Sequence, residues 1–151
     1  MAMLKVFKYL QDAEYQSLLQ TAESKTFKSG ALLIRQGEEQ TNLYILVKGS
    51  AKVLRDHDGF MVEISQRGPG EIFGDMSFIE GYPAIASVEA CEPEVRAIVI
   101  THVNIIKLTQ ADPAFAGRFY ESLAAILSRH LRDTSDTLDV SQSPEEVWGN
   151  P

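Results

Sequence analysis

Between residues 23 and 100 the chain is cut by glycine into short β-rich runs with no long helical pattern between them. That single feature removes most folds. The runs occupy residues 26–27, 31–35, 42–47, 50–54, 61–66, 85–90 and 95–100. Gly30, Gly37, Gly49, Gly59, Gly68, Gly70, Gly74 and Gly81 separate them. Asp58-Gly59 stands between two alternating runs and predicts a tight hairpin. Many short strands punctuated by turns point to a closed or sandwiched β-architecture. A parallel α/β fold needs crossover helices between its strands, and the pattern supplies none.

Helical patterns flank this block. Residues 1–22 read as a helix region with Asp12 as N-cap and Tyr15, Leu18 and Leu19 on one face. Phe7 and Leu10 precede that helix and are expected to pack down as a lid. Thr101 is placed to cap a helix ending near Leu108. Asp112-Pro113 then opens a long helix, an acidic cap followed by proline at the first helical position. Its apolar residues Phe115, Phe119, Leu123, Ile126, Leu127 and Leu131 recur at three and four, one face over about five turns. A small barrel does not need so long a stripe. A homodimer is therefore expected through Phe119, Leu123, Ile126, Leu127 and Leu131. The alternative is a helix folded wholly onto its own chain. Residues 139–151 are acidic and polar and read as a tail, leaving residues 1–138 as one domain.

Composition narrows the function. The chain has 21 acidic and 14 basic residues, a formal net charge of −7, and no basic run. Direct nucleic-acid binding, which wants a basic face, is not expected. Cys91 alone can form neither an internal disulfide nor a cysteine-cluster metal site. No apolar stretch reaches membrane-spanning length, and the first six residues do not read as a signal peptide, so no membrane contact and a cytoplasmic location are expected. His57, His102 and His130 are scattered, and no Gly-x-Ser-x-Gly elbow occurs. No enzymatic activity is expected.

The segment Phe73-Gly74-Asp75-Met76-Ser77, followed by Pro83-Ala84-Ile85-Ala86, resembles the phosphate-binding cassette of cyclic-nucleotide-binding domains. That cassette runs phenylalanine-glycine-glutamate-leucine, a short helix, then proline-arginine-threonine or serine-alanine and a strand. Residues 31–38 and 42–54 resemble the strands before it, and the Asp112-Pro113 helix resembles the one after the barrel in CRP-type regulators. The resemblance spans roughly residues 7–138. It implies a mainly β barrel or jelly roll with a flanking N-terminal helix and a long C-terminal helix. It also implies a non-enzymatic regulatory or sensor module that dimerises through the long helix and acts on a regulatory protein partner. CRP-type regulators carry a helix-turn-helix beyond that helix, and the 13 residues after Leu138 hold no such element. Direct operator binding is accordingly not expected.

By the same resemblance the ligand is a cyclic nucleotide or another small anion, and the contacts are Phe73, Gly74, Asp75, Met76, Ser77, Ala84 and Ile85. Thr134-Ser135 resembles a pair that reaches the purine in some cAMP-responsive regulators; its ordinary reading is two hydroxyls near a helix end. The cassette departs from its pattern where charge matters. Asp75 stands for glutamate, Ala84 for arginine, and Ile85 for threonine or serine. Losing a bidentate charge-assisted contact costs about 3 kcal/mol, roughly a hundredfold in affinity. Weak or absent cAMP and cGMP binding is the expectation. Arg35 and Arg67 are candidate substitutes for the missing arginine, although both are expected to face solvent. The competing view keeps Gly74-Asp75 as a turn, Asp75 capping a helix over 76–79, in a protein-interaction or structural module whose pocket Ile85 fills.

Overall fold

The structure, a computed structural model, describes residues 6–137, with side chains through Asp133. Thr134 and Ser135 fall in the last turns of the C-terminal helix, with side chains outside the described residues, and the 139–151 tail lies outside them entirely.

Among the described residues, eight strands form two antiparallel sheets. Their ranges are β1 (Glu23–Phe27), β2 (Leu32–Ile34), β3 (Leu43–Lys48), β4 (Ala51–His57), β5 (Phe60–Arg67), β6 (Ile72–Phe73), β7 (Ser87–Ala90) and β8 (Val95–Ile100). One sheet has the order β1-β8-β3-β6 and the other β2-β7-β4-β5. The described residues also form four helices: α1 (Asp12–Gln20), α2 (Asp75–Glu80), α3 (His102–Ala111) and α4 (Pro113–Thr137). The expected mainly β jelly roll with flanking helices is what forms. The hairpin at Asp58-Gly59 is present: both residues have positive φ, 52° and 88°, as a type I′ turn requires, and Gly59 N–H donates to Asp56 Oδ1 at 2.8 Å.

Two hydrophobic clusters share the first sheet. Leu46, Phe73, Val95 and Ala97 point between the sheets, against Leu33, Ile34, Ala51 and Val88 of the second. Leu43, Ile45, Ile72 and Ile100 point the other way, against Leu18, Ile105, Phe119 and Leu123 of the helices. Because both faces are covered, β3 and β8 read as almost unbroken apolar runs instead of alternating ones. On β5, an edge strand, Phe60, Met61, Val62 and Ile64 are exposed.

The helix ends show local corrections. Gln11, not Asp12, is the N-cap of α1, in a capping box where its N–H donates to Glu14 Oε1 at 2.8 Å. Thr101 caps α3 by accepting from Asn104 N–H at 3.3 Å, and the helix continues to Ala111. Asp112 Oδ1 accepts from Ala114 N–H at 3.0 Å and opens α4 as expected. Phe7 packs on Tyr15 and Phe119, with ring centroids 5.9 and 5.2 Å away.

The expected dimer stripe needs the larger correction. Phe119, Leu123 and Ile126 are at most 3% exposed within a single chain. α1, α3 and the outer face of the first sheet supply the apolar surface that the stripe was expected to find in a second copy. Leu127 is half-buried at the cassette, and Leu131 is 66% exposed.

Candidate functional site

At one end of the sandwich the chain runs from β5 through Gly68-Pro69-Gly70 into β6, then Gly74 and α2. Gly74 has φ 86°, and a Cβ there would lie 2.5 Å from the Asn42 carbonyl oxygen. Only glycine satisfies both the left-handed backbone and the close approach. Gly74 itself is the N-cap of α2, and Asp75 is the first helical residue, with no side-chain cap. The expected capping role of Asp75 is thereby corrected. The return segment is pinned by its backbone: Ala84 N–H donates to Glu38 O at 3.0 Å, and Gly37 N–H donates to Ala84 O at 2.8 Å.

These elements enclose a cavity of about 460 Å³. Phe73, Gly74, Asp75, Met76, Ser77, Ala84 and Ile85 all stand on its wall. Phe73, Asp75 and Ser77 are buried, Ala84 is half-buried, and Met76 and Ile85 are 45% and 53% exposed. Ile34, Val53, Ile64 and Val88 of the second sheet form the apolar floor, and Leu127 and Leu131 of α4 complete the rim.

Of the candidate substitute arginines, Arg67 is on this wall. It is half-buried, not solvent-facing, with its guanidinium carbon 5.7 Å from the Phe73 ring centroid. Its register partner Ala51 on β4 is buried between the sheets, which puts Arg67 on the cavity side. Arg35 is exposed, in line with its expectation.

His130 ties α4 to the cassette. Its Nε2 is 3.2 Å from Arg67 Nη1 and 3.4 Å from Glu71 Oε2, and its Nδ1 is 3.5 Å from Asp75 Oδ2. Arg129 Nη2 lies 3.7 Å from the same Glu71 oxygen. Nε2 thus stands between a donor-only guanidinium and an acceptor-only carboxylate, so its proton state selects which of the two it bonds. With the proton on Nδ1, the ring faces Asp75 and accepts from Arg67.

Two polar atoms of the wall, Gln40 Nε2 and Asp75 Oδ2, are buried without a hydrogen bond. Gln40 and the site role of His130 escape a reading by sequence. Gln40 sits in a loop without local pattern. His130 follows Leu127 by three positions, so helical spacing does place it on the cassette-facing side of α4.

The family model described as "Cyclic nucleotide-binding domain" matches residues 24–112. The chain belongs to the cyclic nucleotide-binding domain family. Over 133 residues it is 35% identical to a cAMP-dependent protein kinase type II regulatory subunit of Drosophila melanogaster, covering 88% of this chain and 32% of the relative. It is 27% identical over 136 residues to the Cyclic AMP receptor protein of Thermus thermophilus, covering 89% of this chain and 61% of that one. A solved cyclic nucleotide-binding domain from Methylobacillus flagellatus superposes with a TM-score of 0.81 at 21% identity, over 92% of this chain and 84% of its own. That domain shares the family's fold. The chain spans less than two thirds of the length of these two curated relatives. Among the described residues, no helix is long and apolar enough to cross a membrane.

Proposed function

We propose that this family member is a non-enzymatic, cytoplasmic regulatory module that binds a small molecule at the cassette and holds cAMP and cGMP weakly or not at all. The observation that carries this reading is the wall at Ala84 and Ile85. The backbone there is pinned to residues 37 and 38, yet the side chains offered to the cavity are apolar. A cyclic phosphate loses its charged fork, about a hundredfold in affinity. Backbone amides around Gly74 remain, but they do not replace a cation.

The rival reading, a structural or protein-interaction module without any ligand, expects Ile85 to fill the pocket. Ile85 is instead 53% exposed beside a cavity of about 460 Å³, which favours the binding reading. Calorimetric titration of the protein with cAMP and cGMP tests it. Dissociation constants weaker than about 10 μM are expected, and nanomolar binding would overturn the reading. Ala84→Arg with Ile85→Thr should strengthen cAMP binding at least about tenfold by restoring the charged fork. No gain would mean that the frame cannot hold a cyclic phosphate at all.

Homodimerisation belongs to the same proposal, on a revised seam. Tyr120, Ala124, Leu127 and Leu131 follow a four-three-four spacing along α4. Tyr120 and Leu131 are 43% and 66% exposed. That spacing is the a/d pattern of paired helices; Tyr120 and Ala124 are exposed, and Leu127 and Leu131 border the cassette cavity. A regulatory protein partner is the remaining element of this reading.

A further inference from the structure

A second groove, of about 560 Å³, runs between the segment before α1 and the C-terminal half of α4. Its charge runs against that of the whole chain. Lys8, Arg129 and Arg132 line it with the single carboxylate of Asp133, although the chain carries a formal net charge of −7. The three cations are exposed and weakly engaged. Among the described residues, Lys8 Nζ has the Tyr9 ring at 5.2 Å, Arg129 has Glu71 Oε2 at 3.7 Å, and Arg132 has no ion pair. Val6 and Ile126 supply apolar wall further back in the same groove.

The helix fixes the order of these groups. Counting back from Thr137, the last residue of α4, Arg132 lies about 8 Å away, Arg129 about 12 Å and Ile126 about 17 Å. Residues 138–151, outside the described residues, carry Asp139, Glu145 and Glu146 and no lysine or arginine. Their sequence Glu145-Glu146-Val147-Trp148 offers carboxylates first and apolar groups next. From Thr137 the chain spans at most about 29 Å to Glu145 and about 40 Å to Trp148. A segment doubling back along α4 therefore reaches the groove with slack, and in matching order. The cassette cavity is a poorer host for it, because Asp75 and Glu80 line that wall and Arg67 is engaged with His130. We propose that Glu145-Glu146-Val147-Trp148 docks in the second groove of its own chain. The glutamates meet Lys8, Arg129 and Arg132, and the Trp148 indole lies on Val6 and Ile126.

The chain has one tryptophan, so its fluorescence reports the docking directly. In the full chain at low salt, acrylamide should quench Trp148 at least about threefold less efficiently than free tryptophan amide, because the indole is covered. Raising the ionic strength to about 1 M, where the screening length is about 3 Å, should remove most of that protection. Lys8→Glu with Arg132→Glu changes two exposed residues that do not line the cassette cavity, and should expose Trp148 as fully as high salt does. Glu145→Lys with Glu146→Lys should do the same, and the four substitutions together should restore the protection. A fully quenched Trp148 in the unmodified protein would overturn the proposal, as would protection that survives either pair or fails to return in the fourfold variant. Protection that disappears on dilution would also overturn it, by assigning the groove to the tail of a second copy.

Discussion

The two ends of the sandwich treat their polar groups in opposite ways. On the helical side, Glu14 of α1 and Arg118 of α4 meet in a bidentate pair, with Arg118 Nη2 2.6 Å from Oε2 and Nε 2.9 Å from Oε1. Tyr15 Oη accepts from Val6 N–H at 3.0 Å, and Ser122 Oγ accepts from Tyr9 N–H at 3.1 Å. At the cassette end, Asp75 is buried and Gln40 half-buried, and Asp75 Oδ2 and Gln40 Nε2 make no hydrogen bond. The apolar groups divide likewise: aromatic rings fill the helical side, whereas isoleucines at the cassette line a cavity. The difference teaches that burial here serves two purposes. One end is packed closed around its polar pairs, and the other leaves a cavity beside polar atoms that make no hydrogen bond.

Truncating a large apolar side chain at each end should break or confirm that contrast most clearly. Phe119 is fully buried between Phe7, Phe78 and Phe115. Phe119→Ala should cost about 3–5 kcal/mol in chemical denaturation. Ile85→Ala at the cavity rim should change stability by less than about 0.5 kcal/mol. Comparable losses at both positions would mean that the cassette end is packed for stability after all.

The polar contrast is sharpened by pH. The hydrogen bonds from Arg118 hold the Glu14 carboxyl below its ordinary pKa of 4.5, outweighing the opposing effect of burial. A carboxyl held down in the folded state stabilises the protein fully above the ordinary value and loses that contribution as pH falls through the lowered one. Glu14→Gln should therefore lower Tm by about 3 °C at neutral pH. The gap to the unmodified protein should close as the solution is taken below 4.5. A gap that persists at low pH would show that the pair acts through packing, not charge.

Much of the fold is legible in the sequence because its signals are local. Glycine between short runs, Asp58-Gly59 at the hairpin and Asp112-Pro113 at α4 each carry their own physics. β6 is missed because two residues, Ile72 and Phe73, carry no period. Gly74, Asp75, Ala84 and Ile85 are found through an ordered motif, and they do line one cavity. Arg67, Gln40 and His130 join them from β5, a loop and α4, a convergence that only the tertiary structure produces. The α4 stripe shows the limit most plainly. A period of three and four says that Phe119, Leu123 and Ile126 need cover, but not whether the same chain or another supplies it.

That ambiguity leaves the smallest expected effect on folding and a decisive one on assembly. Leu131 is 66% exposed, so it contributes little to the stability of a single chain. Leu131→Glu should leave the denaturation midpoint of an isolated chain unchanged within error. In a dimer paired along Tyr120, Ala124, Leu127 and Leu131, the same substitution places two carboxylates near the two-fold axis. Like charges there are desolvated together, and the seam is too short to absorb them. Sedimentation at low micromolar concentration should find the unmodified protein at twice the chain mass of 16.8 kDa and the variant at the single mass. A clean monomer for the unmodified protein would remove the seam. A dimer unmoved by Leu131→Glu would relocate it, with the exposed Phe60, Met61 and Val62 of β5 as the next apolar surface to substitute.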